Sequence, residues 1–448
     1  MATIQVRNLS FTYPTATVRA LEDVSFTVNQ SDFVVLCGKS GCGKSTLLRH
    51  LKKNLIPYGQ FEGEVLYNGQ EIADMEDRVN AAEIGVVQQN PDNQIVTDKV
   101  WHELAFGLES LGLDNKTIKR RVAEMASFFD IQTWFRKSVS ELSGGQKQLL
   151  NLASIMVMQP KVLILDEPTS QLDPIAASEF LKTIYRINRD LGTTIIISEH
   201  RLEELFTMAD KVMVMDKGRL IAYDEPWNIG NFLAGESAAD RHPMFYGMPA
   251  VMKIYSHCRA AGVPRYVREG REMSPLTIRD GRLWLESFLG DDTGESGCMP
   301  EHGAEQSGKQ SSEEIIRIKD LWFKYNKESG DVLRGLNLSV RKGELFCLLG
   351  GNGVGKSTTL KAISGAVVPQ HGSIVVDGMK VKKENFKELF NKRLAMLPQN
   401  PQALFTEITV EEELLEALHF EKISDEEKID KIEKTLEMME ITHLRKSH

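Results

Sequence analysis

The chain has 448 residues, of which 42% are hydrophobic and 26% charged, and its formal net charge is −9. This length fits about two or three domains of ordinary globular composition. The acidic balance argues against a dedicated nucleic-acid-binding protein, and no run of about 18 apolar residues could span a bilayer. The N-terminus lacks signal-peptide features, and the cysteines lack paired or metal-ligand spacing. A reduced cytosolic chain is expected, with Cys37 and Cys347 as small core residues ending apolar strands.

The first predicted unit covers residues 1–235 and contains an apolar strand, a glycine-rich loop and a helix in succession. The strand 34–37 leads into the loop 38–43 (GKSGCG), and a helical pattern follows. Glycines let backbone N–H groups face phosphate oxygens, a lysine adds positive charge, and the following serine can bind Mg²⁺. The predicted nucleotide contacts are Gly38, Ser40, Gly41, Gly43, Lys44, Ser45 and Thr46.

Further along the first unit, buried strands alternate with helices. Residues 98–130 have a helical pattern without a strand, which predicts a helical insertion. The apolar runs 162–165 and 194–197 are typical of parallel strands buried on both faces, and 174–190 should form a helix between them. This alternation indicates an α/β fold.

A pair of carboxylates follows the apolar run 162–165. The strand should deliver Asp166 to a metal shell, and Glu167 next to it can polarise an attacking water. After a phosphate-binding loop, this pair completes the pattern of a nucleotide-hydrolysing site.

A second anion-binding helix terminus is predicted by Leu142-Ser143-Gly144-Gly145-Gln146. Two such termini in one unit fit best if this one faces the nucleotide of a partner unit, through Ser143, Gly144, Gly145 and Gln146. With these motifs the chain resembles the ATP-binding-cassette (ABC) ATPases over nearly its whole length. The resemblance implies a P-loop NTPase cassette with a helical insertion that uses ATP and Mg²⁺ and pairs with a second cassette.

The resemblance also implies roles for single residues. Tyr13 is similar to the aromatic residue that stacks on adenine, and His200 to the switch histidine at the γ-phosphate. Gln89 is similar to the glutamine that senses Mg²⁺ and the attacking water, and residues 170–173 to the loop that crosses the dimer interface. The implied catalytic set is Glu167, His200 and Gln89, and the implied metal ligands are Ser45, Gln89 and Asp166.

Three stretches narrow the resemblance. Segments 89–94, 198–204 and 275–282 resemble those of the ATPases of energy-coupling-factor importers, which take up vitamins and transition metals; there Gln94 is similar to a residue that supports the Gln89 loop. This implies a cytoplasmic protein, peripheral on the inner face of the membrane, with a coupling subunit, a substrate-binding subunit and no nucleic acid as partners. The partners should dock at the Gln89 loop and residues 98–130.

Two alternatives stay open: a fused sugar-importer ATPase, and a soluble tandem cassette acting on ribosomes or nucleic acid.

The sequence contains two copies of this unit, because Lys356 lies 312 positions after Lys44 and Tyr325 lies 312 positions after Tyr13. An accessory segment is predicted at 236–289, a flexible Gly/Ser-rich linker at 290–312 and the second unit at 313–448. Its predicted nucleotide contacts are Tyr325, Gly350, Asn352, Gly353, Gly355, Lys356, Ser357 and Thr358, and its predicted metal ligands are Ser357 and Gln399.

The second copy is expected to be incomplete, because counterparts of Leu142, Asp166, Glu167 and His200 are missing from it. Its apolar faces should be uncovered and its stability marginal. We therefore expect a fragment of a longer tandem ATPase. The alternative is that first units from two separate chains pair and make two complete sites.

Overall fold

The computed structural model describes residues 2–14, 16–235, 241–268, 270–289, 313–326, 330–390, 393–398, 401, 404–419, 421 and 423–447. The predicted linker at 290–312 lies outside these residues. The chain forms two compact units, one of Met1–Glu305 with Gly350–Gly353 and one of Gln306–Leu349 with Val354–His448.

Up to residue 235, the first unit contains two sheets with helices around them. Its strands are β1 Ala2–Thr12, β2 Leu21–Asn29, β3 Phe33–Gly38, β4 Gln60–Tyr67, β5 Gln70–Glu71, β6 Ile84–Val87, β7 Val162–Asp166, β8 Thr194–Ser198, β9 Lys211–Asp216 and β10 Arg219–Asp224. Its helices up to residue 234 are α1 Lys44–His50, α2 Asp77–Glu83, α3 Val100–Ser110, α4 Asn115–Phe128, α5 Gly144–Met156, α6 Pro174–Leu191, α7 Leu202–Met208 and α8 Pro226–Ala234.

The larger sheet positions the predicted site. Its strand order is β10-β9-β3-β8-β7-β6, and β9, β3, β8, β7 and β6 are mutually parallel. The predicted strands at 34–37, 162–165 and 194–197 and the helix at 174–190 are therefore confirmed. Because the strands are parallel, Gly38, Asp166 and Ser198 emerge at the same edge of the sheet, where α/β folds bind ligands.

The smaller sheet is antiparallel, with strand order β2-β1-β4-β5. Its inward residues, such as Ile4, Val6 and Phe11, pack with α1 and with one face of the larger sheet in a single apolar cluster. The phosphate-loop helix is therefore enclosed by two sheets, which restrains the position of the loop.

The predicted helical insertion is present as α3 and α4, which pack against α5. Met125 and Phe129 are buried in the same apolar cluster as the larger sheet, and Phe128 is partly buried beside them. These residues serve as core, as their spacing indicates.

The segment after α8 packs on the first unit. It contains α9 Ala250–Ala260, the short hairpin β11 Val267–Arg268 and β12 Arg271–Glu272, and α10 Ile278–Leu289. Phe245 and Met252 are buried in the main apolar cluster of that unit. The rings of Tyr255 and Trp284 meet edge to face at 4.9 Å and join α9 to α10.

The second unit repeats the smaller sheet. Its elements are β13 Glu314–Phe323, β14 Leu333–Arg341, α11 Lys356–Ile363, β15 His371–Val376, β16 Met379–Lys380, α12 Phe386–Phe390, α13 Val410–Ala417 and α14 Asp425–Met438. Val6 pairs with Phe26 in the first sheet, and Ile318 pairs with Leu338 in the second, both 312 positions later. The duplication therefore extends to strand register.

One expectation for the second unit is wrong. Residues 344–350 (ELFCLLG), the counterpart of β3, are not in a strand, and Cys347 is exposed rather than in a core. Leu345 and Leu349 are 93% and 90% exposed. A strand exists through hydrogen bonds to neighbours, which β8 and β9 supply to β3, whereas no described strand pairs with 344–350.

None of the helices in the described ranges combines the length and the apolarity that a bilayer span requires.

Candidate active site

The phosphate loop of the first copy folds around the side chain of Lys44. Its ammonium group is buried and donates to the carbonyl oxygens of Gly38 at 2.9 Å and Lys39 at 3.1 Å. Gly43 precedes α1 with φ 103°, where a Cβ would come within 2.6 Å of the Ala20 carbonyl oxygen. The sequence therefore needs glycine at this position to turn the chain into the helix.

A second group of side chains meets at Glu167, directly after β7. Its carboxylate lies 4.0 Å from Lys44 Nζ, 2.9 Å from His200 Nε2 and 3.4 Å from Gln89 Nε2. Three predicted residues from different loops thus converge on one carboxylate. Glu167 has φ +45°, a conformation that costs free energy in a residue other than glycine and that clusters at functional sites.

Asp166 is held next to this group by β8. Its Oδ1 accepts a 2.7 Å hydrogen bond from the Ser198 hydroxyl, which also accepts from Glu167 N at 3.1 Å. Asp166, Ser45 and Gln89 line one cavity of about 250 Å³. A hydroxyl, an amide and a carboxylate are oxygen donors of the kind that Mg²⁺ binds together with nucleotide phosphates, so these residues fit that ion.

Tyr13, just after β1, is tied to the helix of the phosphate loop. Its hydroxyl lies 3.2 Å from Thr46 Oγ1, and its ring meets Phe11 edge to face at 4.9 Å. The aromatic ring that the resemblance places on adenine therefore has a fixed orientation relative to the loop.

The Gln89 loop is fastened to helix α5. Gln94 Oε1 accepts from Gln88 N at 2.6 Å and from Asn151 Nδ2 at 2.8 Å, and Gln94 Nε2 donates to Val86 O at 2.9 Å. Lys147, one turn before Asn151, pairs with Asp92 at 2.7 Å. Two successive turns of α5 thus hold both sides of this loop.

The predicted signature segment begins α5. Ser143 is the N-cap, and its Oγ accepts from Gln146 N while its own N–H donates to Gln146 Oε1, which is a capping box. Gly144 and Gly145 follow in the first turn, where Gly144 has no atom within 4 Å of the place a Cβ would occupy. The capping box engages the N–H groups of Ser143 and Gln146, whereas those of Gly144 and Gly145 have no intrahelical acceptor, which is the arrangement that binds anions at a helix terminus.

The second copy repeats the phosphate-loop geometry. Gly355 precedes α11 with φ 99°, as Gly43 does with φ 103°. The helix starts with Lys356, Ser357 and Thr358, and Gly350, Asn352 and Gly353 lie in the loop before it. Tyr325 Oη lies 3.1 Å from Thr358 Oγ1. Gln399, the other predicted metal ligand, lies outside the described residues.

The cysteine in the first loop is not a reactive group. Burial raises the pKa of the Cys42 thiol, and burial also raises the pKa of Cys37 in β3 to about 12. Both side chains are neutral thiols at physiological pH and pack as small core residues, as predicted for Cys37.

Two residues without a role in the sequence analysis take part in the site. Ser198 supports Asp166, and the buried carboxylate of Glu199 accepts from the backbone N–H groups of Thr169 and His200. The sequence contained a signal for both residues, because a serine and a glutamate follow an apolar run directly before the predicted switch histidine.

Comparison with known proteins shows the family to which the chain belongs. The profile of the ABC transporter family matches residues 21–170 and 333–448. A Bacillus anthracis protein named "Putative ABC transporter ATP-binding protein" is 39% identical over 416 residues, which cover 93% of this chain and 71% of that protein. A Methanosarcina acetivorans protein of that name is 33% identical over 467 residues, covering 99% and 71%.

Among solved structures, cbiO1 from Clostridium perfringens, described as part of the ABC transporter complex cbiONQ, is 32% identical. It matches 51% of this chain and 90% of its own with a TM-score of 0.47. The family match extends over parts of both copies. This chain therefore belongs to the ABC transporter family, as an ATP-binding subunit with ATPase activity.

Proposed function

We propose that this chain is the ATPase subunit of an importer of the energy-coupling-factor type, bound to the inner face of the membrane through integral membrane partners. Vitamins or transition metals are the proposed substrates. The proposal rests on the segments 89–94, 198–204 and 275–282, which resemble that importer class, and on the surface beside the Gln89 loop. The net charge of −9 disfavours the nucleic-acid alternative.

The proposed chemistry uses the side chains gathered at the edge of the larger sheet. Lys44 leaves its two backbone acceptors and pairs with the phosphates of ATP, while Glu167 orients a water and accepts its proton. His200 and Gln89 hold the Glu167 carboxylate from two sides, at 2.9 and 3.4 Å. Mg²⁺, held by Ser45, Asp166 and Gln89, would neutralise charge on the phosphate oxygens.

The proposed site also needs a terminus from a second cassette. Gly144 and Gly145, next to the capping Ser143, have backbone N–H groups without intrahelical acceptors at the start of α5. We assign this terminus to the nucleotide of a partner cassette. The partner is either the second copy of a longer form or the first unit of another chain. In both cases ATP joins two cassettes, and hydrolysis releases them.

The observation that carries the membrane role is the surface that follows the Gln89 loop. Val96 and Trp101 are 67% and 45% exposed, although both are large and apolar. The buried carboxylate of Glu103 accepts from Val96 N at 3.1 Å and Thr97 N at 2.8 Å, which fixes their turn to α3. Exposed apolar residues on this turn and on the first turn of the adjoining helix α3 are typical of a protein-binding surface.

This surface is connected to the site by contacts within the unit. Gln89 contacts Glu167, and Gln94 fastens the same loop to α5. A partner that pushes on Val96 and Trp101 would therefore displace the Gln89 loop. We propose that membrane subunits dock here and exchange motion with the nucleotide site.

The test is reconstitution of the tagged chain with its co-purifying integral membrane subunits in lipid vesicles. We expect ATP-dependent uptake of a labelled transition metal or water-soluble vitamin, and its loss in Trp101→Asp with binding of ATP unchanged. Tyr58→Asp is the matched control, since Tyr58 is 88% exposed elsewhere on the unit. Uptake of labelled sugars instead would favour the sugar-importer alternative, and recovery without membrane subunits would reject the proposal.

A further inference from the structure

We propose that Glu199 is a positioning residue that locks the loop of Glu167 to the loop of His200. Both loops emerge from neighbouring strands, β7 and β8, and both contribute to the ATPase site. The inference rests on the ATPase activity and does not depend on which substrate is transported.

The carboxylate of Glu199 is bonded on both oxygens. Oε1 accepts from Thr169 N at 2.9 Å and from the Thr169 hydroxyl at 2.5 Å, and Oε2 accepts from His200 N at 3.1 Å. Glu199 is 3% exposed and Thr169 is fully buried. The carboxylate thus joins the turn two residues after Glu167 to the backbone of His200 itself.

Adjacent residues repeat this pattern along the same two loops. Ser198 holds Asp166 and the backbone N–H of Glu167, and His200 Nε2 lies 2.9 Å from Glu167 Oε1. Three consecutive residues, 198–200, therefore each form hydrogen bonds with the end of β7 or with the loop that follows it. Ser198 and Glu199 are both buried, so their bonds are shielded from competing water.

These hydrogen bonds control the distance between the side chains of Glu167 and His200. Glu167 sits at φ +45°, and such a conformation persists where neighbouring contacts hold it in place. Hydrogen bonds to a carboxylate are stronger than those between neutral groups, and here they join Thr169, two residues after Glu167, to the backbone of His200. Without them, the two side chains lose their fixed separation while the phosphate loop around Lys44 is unaffected.

A role in folding alone makes a different prediction. A purely structural Glu199 would lower nucleotide binding and turnover together as folded protein is lost. A positioning residue lowers kcat and leaves nucleotide affinity intact, because the binding loop is on another strand, β3. A loss of kcat without a loss of nucleotide affinity therefore distinguishes a positioning role from a purely structural one.

The experiment compares Glu199→Gln, Thr169→Val and the double variant in the full chain. Turnover of ATP, affinity for a non-hydrolysable ATP analogue and amide hydrogen exchange over residues 166–173 and 198–202 are measured. Glu203→Gln is the control, because it removes the same charge from an exposed site on α7.

We expect kcat of Glu199→Gln to fall about tenfold with analogue affinity within about twofold of the parent. Thr169→Val should lose about threefold, and the double variant should be no slower than Glu199→Gln. Amide hydrogen exchange at Thr169 and His200 should accelerate whether or not ATP is being hydrolysed. If Glu199→Gln does not fold, Thr169→Val decides by the same kcat and exchange criteria. Unchanged kcat and exchange, or a parallel loss of kcat and affinity, would overturn the proposal.

Discussion

The hydroxyl of Tyr13 lies 3.2 Å from Oγ1 of Thr46, and the same pair recurs as Tyr325 and Thr358 at 3.1 Å. Each tyrosine follows the first strand of its sheet, and each threonine is the third residue of a phosphate-loop helix. The contact thus connects the proposed adenine-stacking ring to the proposed phosphate-binding helix in both copies.

Replacing Tyr13 by Phe should weaken ATP-analogue binding about twofold to fivefold. The ring remains for stacking, and the lost hydrogen bond is worth about 1 kcal/mol. Tyr13→Ala, which also removes the ring, should cost more, and both can be measured by titration calorimetry. Tyr325→Phe is the matched control in the second copy. Equal affinity of Tyr13→Phe and the parent would show that the hydroxyl contact does not orient the ring.

Glu167→Gln should reduce ATP hydrolysis at least about 100-fold and leave nucleotide binding nearly unchanged. The amide keeps the shape and the contacts to His200 and Gln89, and it cannot accept the proton of the attacking water. Turnover under saturating ATP, together with analogue affinity, checks this. Lys44→Ala provides the contrast, since it should lose binding as well. Substantial turnover in Glu167→Gln would assign the base to another residue.

Gln94→Ala should lower the free energy of unfolding of the first unit by about 1–3 kcal/mol. The substitution removes three hydrogen bonds and leaves the buried Asn151 amide without its acceptor. Urea unfolding followed by tryptophan fluorescence measures the loss. Asp92→Asn is the comparison, because its pair with Lys147 is exposed and should contribute little. A larger effect of Asp92→Asn would reverse the assigned importance of these contacts.

Lys52 should make stability rise with pH above about 8. Burial lowers the pKa of Lys52 from 10.5 to about 8, although its ammonium donates to Asn80 O at 2.6 Å. Between these values the unfolded chain binds a proton that the folded chain has released. The free energy of unfolding therefore increases by up to about 1.4 kcal/mol per pH unit.

The variant Lys52→Met lacks this titration, so it isolates the effect. Its unfolding free energy relative to the parent should decline as pH rises from 8 to 10, because the parent alone gains stability there. Urea unfolding at several pH values gives the difference, in which all other titrating groups cancel. A difference that is constant over this range would place the pKa of Lys52 near its ordinary value.

Leu345→Ser and Leu349→Ser should change the stability of the second unit by less than about 0.5 kcal/mol, because both side chains are at least 90% exposed. They should also reduce self-association by removing apolar surface. Leu321→Ser is the control, since Leu321 is fully buried and its loss should cost more than about 2 kcal/mol. Comparable destabilisation by Leu349→Ser would mean that 344–350 is covered in solution.

Strong local patterns made much of the first unit predictable. The runs at 34–37, 162–165 and 194–197 are continuous and apolar because their strands are buried on both faces, and the helix at 174–190 has a clear amphipathic period. At 344–350 a similar apolar run predicted a strand, and the structure has none there. An apolar run records a tendency to form a strand, and hydrogen bonding to adjacent strands decides whether one exists.

The sequence by itself determined the family, the duplication and the identity of the phosphate loop, because glycine, lysine and serine at fixed spacing are a local requirement of phosphate binding. The tertiary structure decided which side chains meet. Gln89, Glu167 and His200 are far apart in sequence, and the parallel order of β6, β7 and β8 brings their loops to one edge. The support from Glu199 arises from the same adjacency of β7 and β8, which depends on long-range pairing that no local pattern encodes.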